Sequence, residues 1–332
     1  MKRSFSARIV VFISAMLIFW ACRKDGDTRI TGSPEMLAQL QTLSDTSPIY
    51  MFCYFKEGND GLHLAYSLDG YTFAVLDNDR PFLVPLISNE KLMRDPCIIR
   101  GADSLFHLVW TPGWDVKGIG YSSSRDLVHW SEQKYLPVME YDNSARNCWA
   151  PEITYDKNSK TYMVYWASTV RGLYPMPNDV ESGYNHRIYY ATTKDFTAFS
   201  PTMMLYDHGF NVIDATIIPD DNRYIMFLKD ETLIPVNQKN IRLASGNNLK
   251  GPYSAPSVPI TGNYWTEGPT VTKIRNQWVV YFDKYNDKVV GAVSSEDLIN
   301  WTDISSKIVF PVGVKHGSVF VIAKKEFLSF FL

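Results

Sequence analysis

The sequence predicts an all-β chain folded as a five-bladed β-propeller, with the C-terminal strand joining the N-terminal blade to close the ring. Three observations predict it. Short runs of alternating apolar and aromatic residues, broken by turn signals, replace helical periodicity. One turn phrase recurs at intervals of roughly 50–70 residues, somewhat longer than a usual four-stranded blade because loops vary. The first copy of that phrase has no inner strand ahead of it, and a strand without followers lies near the C-terminus.

Taken in order, residues 1–22 lie outside the predicted fold. Lys2, Arg3 and Arg8 form a basic start, and Ile9 to Trp20 an apolar run too short for a comfortable membrane span. The run ends in Ala21-Cys22, which resembles the lipobox of bacterial lipoproteins, with Phe19 in place of the more usual Leu. Two readings follow, a lipid-anchored lipoprotein acylated at Cys22 or a simple cleaved signal peptide, and both imply export. The expected location is periplasmic or on the outer membrane or cell surface of a bacterium. Residues 23–46 are polar and read as a flexible tether, leaving 47–332 as the propeller.

The repeats come next. AYSLDGYTF (65–73), YSSSRDLVHW (121–130), YATTKDFTAF (190–199) and AVSSEDLINW (292–301) each place a hydroxyl residue shortly before an Asp and an aromatic four residues after it. The pairs are Asp69/Phe73, Asp126/Trp130, Asp195/Phe199 and Asp297/Trp301, and a weaker copy at 243–253 carries Asn248 in the Asp position. An Asp-capped turn between two outer strands explains the phrase. Middle strands precede it at 49–55, 105–110, 161–167, 223–228 and 277–282, and innermost strands at 94–100, 149–156, 212–220 and 267–274. KHGSVFVIA (315–323) supplies the missing inner strand, and closure removes exposed sheet edges.

Composition narrows the function. A net charge of −2 lacks the basic excess that nucleic acid or an anionic membrane requires, so membrane contact is expected through the lipid anchor alone. The aromatic share of 14% suits sugar rings as well as a core. Cys53, Cys97 and Cys148 lie in apolar stretches and read as buried thiols.

The inner strands of a propeller surround a channel. The residues at their matched starts read as Asp95, Glu152, Asp214, Glu267 and His316. Singly each could begin a turn; together they would converge on one pit, and clustered carboxylates raise one another's pKa. Two carboxylates across a pit, one ionised to activate water and one protonated to serve the leaving oxygen, are the equipment of glycoside hydrolysis. Tyr264 and Trp265 beside Glu267 are expected to desolvate it and raise its pKa, while Asp95, after Arg94 and beside open solvent, stays charged.

The ordered motifs Asp-Pro (95–96), WAPE (149–152), IDAT (213–216), EGP (267–269) and HGSV (316–319) resemble glycoside hydrolase family 43 over residues 47 to about 323. That resemblance implies an inverting enzyme on a five-bladed propeller. It gives Asp95 as general base, Glu267 as general acid and Asp214 as the carboxylate that orients the acid and tunes its pKa. The family usually has Asp where this chain has Glu152, expected to hydrogen-bond at the pit wall. The family histidine often sits near a central calcium, directly or through water, so the resemblance makes His316 a candidate partner of a structural calcium in the central channel, with no cofactor required. Trp114, Trp149 and Trp265 are candidate sugar platforms, and Arg146, Asn147, Glu152 and His316 candidate sugar contacts. Lys229 and Lys284 read as solvated or paired, and the long loop 171–187 as a shaper of the pocket. The activity expected is an exo-acting α-L-arabinofuranosidase on arabinose- or xylose-containing plant glycans. Its rivals are a β-D-xylosidase and a non-catalytic glycan-binding propeller.

Overall fold

In the computed structural model the described residues are 28–57, 60–174 and 183–332. The signal segment with Cys22 therefore lies outside them, as does the centre of the 171–187 loop. Among the described residues no helix is long and apolar enough to cross a membrane.

Five small antiparallel sheets form the ring. Blade 5 opens the chain with β1 (Pro48–Tyr54), β2 (His63–Ser67) and β3 (Ala74–Val75). Blade 1 holds β4 (Arg94–Arg100), β5 (Phe106–Thr111), β6 (Ile119–Ser124) and β7 (Lys134–Leu136). Blade 2 holds β8 (Trp149–Asp156), β9 (Thr161–Thr169), β10 (His186–Thr193) and β11 (Met203–Tyr206). Blade 3 is β12 (Val212–Asp220), β13 (Arg223–Asp230) and β14 (Asn240–Gly246), and blade 4 is β15 (Glu267–Ile274), β16 (Gln277–Lys284), β17 (Val289–Ser295) and β18 (Thr302–Asp303). The closing strand β19 (Ser318–Ala323) pairs antiparallel with β1, Pro48 facing Ala323 and Cys53 facing Ser318. The predicted closure is therefore the observed one.

The repeated phrase folds as its chemistry requires. In all four Asp copies the side-chain oxygen accepts two backbone N–H groups: those of residues 71 and 72 on Asp69, 128 and 129 on Asp126, 197 and 198 on Asp195, and 299 and 300 on Asp297. The hydroxyl residue two places earlier accepts the N–H of the left-handed residue that turns the corner: Gly70, Leu127, Phe196 or Leu298. The Asn248 copy is the weak one, and blade 3 ends in an isolated Gly246–Tyr253 bridge instead of a fourth strand. The phrase's aromatics wedge between blades. Phe73 lies 5.8 Å from Tyr281 of blade 4, and Trp301 meets Phe227 of blade 3 edge-on at 5.9 Å.

Around the axis, side-chain-to-backbone hydrogen bonds tie each inner strand to the neighbouring blade. Ala150 N–H donates to Thr111 Oγ1 (2.8 Å), Thr154 Oγ1 to the Ile217 carbonyl (3.3 Å), and Gly268 N–H to Asp214 Oδ2 (2.9 Å). Val319 N–H donates to Thr270 Oγ1 (2.9 Å), and Ile98 N–H to Ser318 Oγ (3.0 Å), which completes the circle. These bonds satisfy backbone groups where the strands splay around the channel.

One boundary needs correction. From residue 28 on, the segment read as a tether is part of the fold. Ile30 bridges Leu76, and helix α1 (Pro34–Thr42), capped by Ser33 and led by Pro34, buries Leu40. The C-terminal helix α2 (Lys324–Phe331) buries Phe327 and Phe331 beneath blade 5, Phe327 packing 4.8 Å from Tyr66. Both segments have enough apolar side chains to dock, which the polar residues between them obscure. Cys53, Cys97 and Cys148 are buried free thiols, as expected.

Candidate active site

A pocket of about 540 Å³ opens at the end of the channel where the inner strands begin. Its formation rests on a backbone device shared by four of them. The pairing register shifts between Arg94 and Cys97, Trp149 and Glu152, Ile213 and Thr216, and Glu267 and Thr270. The first bulged residue in each is left-handed: Asp95 (φ 51°), Ala150 (φ 45°), Asp214 (φ 52°) and Gly268 (φ 61°). Bulges re-aim side chains, and left-handed φ in Asp and Ala is strain held at a site.

This register corrects the sequence reading of the ring. At one level lie Asp95, Ala150, Asp214 and Gly268, with His316 taking the same place ahead of β19. Glu267 lies one residue earlier than its supposed partners and Glu152 two residues later. Gly268 is required: a Cβ there would come within 2.3 Å of the His316 ring.

Three of these side chains form the pocket floor. His316 Nδ1 lies 3.2 Å from Asp95 Oδ1 and 3.9 Å from Asp214 Oδ2. Burial disfavours an imidazolium, but Asp214, Asp95 and Glu267 outweigh it and lift the His316 pKa to about 9. Burial likewise works against the Asp95 anion, yet His316, Arg94 and a 2.9 Å hydrogen bond from Thr111 Oγ1 hold its pKa below the usual value. Asp95 is thus charged, as expected, through a cation and a hydroxyl instead of open solvent. Asp214 is pushed up to about 6, by burial first and by repulsion from Glu267 and Asp95.

Glu267 departs from expectation. Tyr264 does not line the pocket; it stacks near Phe282 and donates to Asp303. Trp265 does line it, with its indole N–H on Asn237. Burial acts to raise Glu267, but Lys229 at 3.1 Å and His316 prevail and lower its pKa. Lys229 is itself almost wholly buried and also pairs with Glu231 at 2.7 Å, while Lys239 binds the other oxygen of Glu231. Lys229 is therefore paired within the site rather than solvated. Its counterpart in blade 4 is Asp283, opposite Glu267, a buried carboxyl lifted to about 7 chiefly by burial and by Glu267. Lys284 pairs with Asp287.

The candidate sugar contacts divide. Trp114, Trp149, Arg146, Trp265 and His316 all line the pocket. Trp114 is 46% exposed and meets Trp149 edge-on at 5.6 Å; Trp149 in turn packs 4.4 Å from Tyr184, the described end of the long loop. Asn147 is a correction: wholly buried, it accepts the Thr169 N–H and contacts His186, so it braces blade 2 without reaching the pocket. Glu152 is another. It is absent from the pocket wall and lies one register down the channel, level with Cys97, Thr216, Thr270 and Ser318. There it accepts from Thr216 Oγ1 (2.8 Å) and Tyr165 OH (3.3 Å), and burial lifts its pKa to about 7. Sequence reading missed Thr111, Lys229's pairing with Glu267, Glu231, Lys239, Tyr184 and His186. Lys229 and Thr111 end matched middle strands, the one signal that could have found them.

The residues do not fit direct calcium ligation by His316. Among the described residues no group of three or more His, Cys, Asp or Glu is placed to hold a metal, and His316 Nδ1 already faces the Asp95 carboxylate at 3.2 Å. Calcium also prefers oxygen ligands.

The arrangement offers an ionised carboxylate at Asp95, and beside it Asp214 and Glu267, whose mutual repulsion raises Asp214. Residues 45–327 match the family described as "Probable glycosyl hydrolase domain", related to glycoside hydrolase family 43. An α-L-arabinofuranosidase of Bifidobacterium longum is 23% identical over 233 residues, covering 62% of this chain; the chain spans only 22% of that protein's length. Among solved structures, a thermostable family-43 glycoside hydrolase superposes with a TM-score of 0.52 at 19% identity, over 68% of this chain and 81% of that one. An α-L-arabinofuranosidase from Lactobacillus brevis gives 0.51 at 16%, over 64% and 72%. An exo-β-1,3-galactanase from Phanerochaete chrysosporium gives 0.50 at 13%, over 64% and 49%. These likenesses are of fold.

Proposed function

The chain belongs to the family of glycosyl hydrolase domains related to glycoside hydrolase family 43, and from that premise we propose that it is an inverting, exo-acting glycosidase, an α-L-arabinofuranosidase on arabinose-containing glycans. The observation that carries this is the convergence of Asp95, Asp214 and Glu267 on one pocket, with Asp95 held charged by His316 and Asp214 raised by burial and by the Glu267 charge. Asp95, ionised beside His316, takes a proton from water as water attacks the anomeric carbon. Glu267 gives its proton to the leaving oxygen, and Asp214, raised and beside the Gly268 amide, supplies the neighbouring charge that sets where that proton rests. Lys229 holds Glu267 as an anion before substrate enters, so the acid must receive a proton for the bond to break. The aromatic arc of Trp114, Trp149 and Tyr184 supports the sugar face.

The arabinoside reading follows the Bifidobacterium relative, and export as a lipoprotein follows the Lys2-to-Cys22 pattern. A panel of nitrophenyl glycosides tests the first: α-L-arabinofuranoside is expected to be cleaved, and Asp95→Asn to abolish cleavage. Cleavage of only the β-D-xyloside or a galactoside changes the substrate and keeps the mechanism. No cleavage of any glycoside returns the glycan-binding reading. Metabolic labelling with palmitate, lost in Cys22→Ala, tests the anchor.

A further inference from the structure

Four lysine and arginine side chains line the pocket, and three are tied to carboxylates. Arg146 pairs with Asp115 at 2.6 Å, Lys229 with Glu231 and Glu267, and Lys239 with Glu231. Arg94 differs: among the described residues no carboxylate lies within ion-pair distance of it. Its guanidinium carbon sits 4.6 Å from the ring centroid of Phe55 and 4.6 Å from that of Trp114. Two aromatic contacts fix the guanidinium plane and leave its N–H edge without an anion. A fixed fork of this kind matches a carboxylate bidentately. Asp95, the next residue, does not serve that role, since its carboxylate is engaged by His316 and Thr111.

Elsewhere in the pocket charge is matched. Arg146, Lys229, Lys239 and His316 face Asp95, Asp214, Glu231, Glu267 and, just outside the lining, Asp115. Among the described residues Arg94 is the lining cation that stands outside these pairs, and an anionic sugar would meet it where a neutral pentose would not.

We propose that the pocket takes a glycan bearing a uronic acid unit, with Arg94 as the partner of its carboxylate and Trp114, which packs on the guanidinium, as the adjoining sugar surface. The inference rests on the glycan reading above and adds the charge of the substrate to it. Arg94 is a specificity residue here, distinct from the acid–base groups.

The test is calorimetric titration of the full chain with D-galacturonate and D-glucuronate, each against its neutral hexose, in low and high salt. At least one uronate is expected to bind about ten-fold tighter than its neutral counterpart at low salt, the strength of one charge-assisted hydrogen-bond pair. That advantage is expected to shrink at 0.5 M NaCl, a concentration that screens exposed charges within roughly 4–5 Å. Arg94→Gln erases it and Arg94→Lys keeps part of it. Equal binding of uronate and hexose by the wild type overturns the proposal without reference to any variant, as does an advantage that survives in folded Arg94→Gln. Neutral sugars bound without preference leave the glycan pocket standing and overturn the anionic substrate alone. If no sugar binds and no glycoside is cleaved, both readings fall.

Discussion

Two rings of side chains surround the propeller axis on the same five inner strands, one register apart, and they handle buried charge in opposite ways. The upper ring, Asp95, Asp214 and His316 with Ala150 and Gly268, opens on the pocket and compensates each carboxylate with a cation or a hydrogen-bond donor. The lower ring holds one carboxyl, Glu152, among a thiol and three hydroxyl residues, and among the described residues its hydrogen-bond partners are the hydroxyls of Thr216 and Tyr165 and no cation. Desolvation therefore governs Glu152 and lifts it to about 7, whereas paired charge governs Asp95 and Glu267 and lowers both. A raised carboxyl pKa on its own is thus a poor guide to catalysis here. Proximity to an opposite charge at a pocket is the better one.

The largest expected effect breaks the rings apart by activity. Asp95→Asn and Glu267→Gln are each expected to lower kcat/KM on an aryl arabinofuranoside by about 10³-fold or more, the scale of losing a positioned base or acid. Glu152→Gln is expected to stay within about three-fold of wild type, since it touches no substrate. A Glu152 loss matching that of Asp95 would dissolve the distinction.

The second effect concerns pH. Burial and the neighbouring Glu267 charge raise Asp214 to about 6, and the proton that reaches Glu267 is expected to come from it, so kcat/KM is expected to fall as pH rises through about 6. Lys229 favours the anion of both carboxylates, and Lys229→Met removes that bias. Its alkaline limb should move to higher pH by about one unit, the shift of a single nearby charge. An unmoved limb would show that Lys229 only fills space.

The third effect is on stability. Glu152 has its folded pKa raised from an ordinary 4.5 to about 7, so its protonated form is the one the fold prefers. Its contribution is complete below about pH 4.5 and declines as pH rises to about 7, by at most about 3 kcal/mol. Denaturant melts of wild type and Glu152→Gln across that range are expected to diverge, the wild type losing stability more steeply with rising pH than the variant, which keeps only the slope of the other raised carboxyls Asp214 and Asp283.

The smallest effect is at the rim. Trp114→Ala is expected to raise KM about three- to ten-fold with kcat nearly unchanged, because a sugar platform binds ground and transition states alike. A kcat loss without a KM change would move Trp114 into the reacting geometry.

Much of this was legible in the residues. The recurring hydroxyl–x–Asp phrase encodes its own hydrogen bonds, so Asp69, Asp126, Asp195 and Asp297 marked the blades directly. The closing strand followed from one unpaired apolar run at each end. The floor residues Asp95, Asp214 and His316 were found because each begins an inner strand. What failed was register. A bulge at four inner strands shifts the pairing, and a bulge leaves no residue type of its own in the sequence beyond Gly268. Glu152 and Glu267 were therefore placed on the same level as Asp95. Charge partners failed for a related reason: Lys229 is 38 positions from Glu267, and only the packing of β13 against β15 brings them to 3.1 Å. Asn147 was misread because a polar residue before a motif looks the same whether it braces a turn or reaches a ligand.

The central claim is a division of labour, with Asp95 acting on water and Glu267 on the leaving oxygen. The most direct test compares Asp95→Asn and Glu267→Gln on two arabinofuranosides, one with a dinitrophenyl aglycone that departs without a proton and one with an alkyl aglycone that needs one. Glu267→Gln should lose far less on the dinitrophenyl substrate than on the alkyl one, while Asp95→Asn loses equally on both. Equal losses for Glu267→Gln on the two substrates would contradict the assignment.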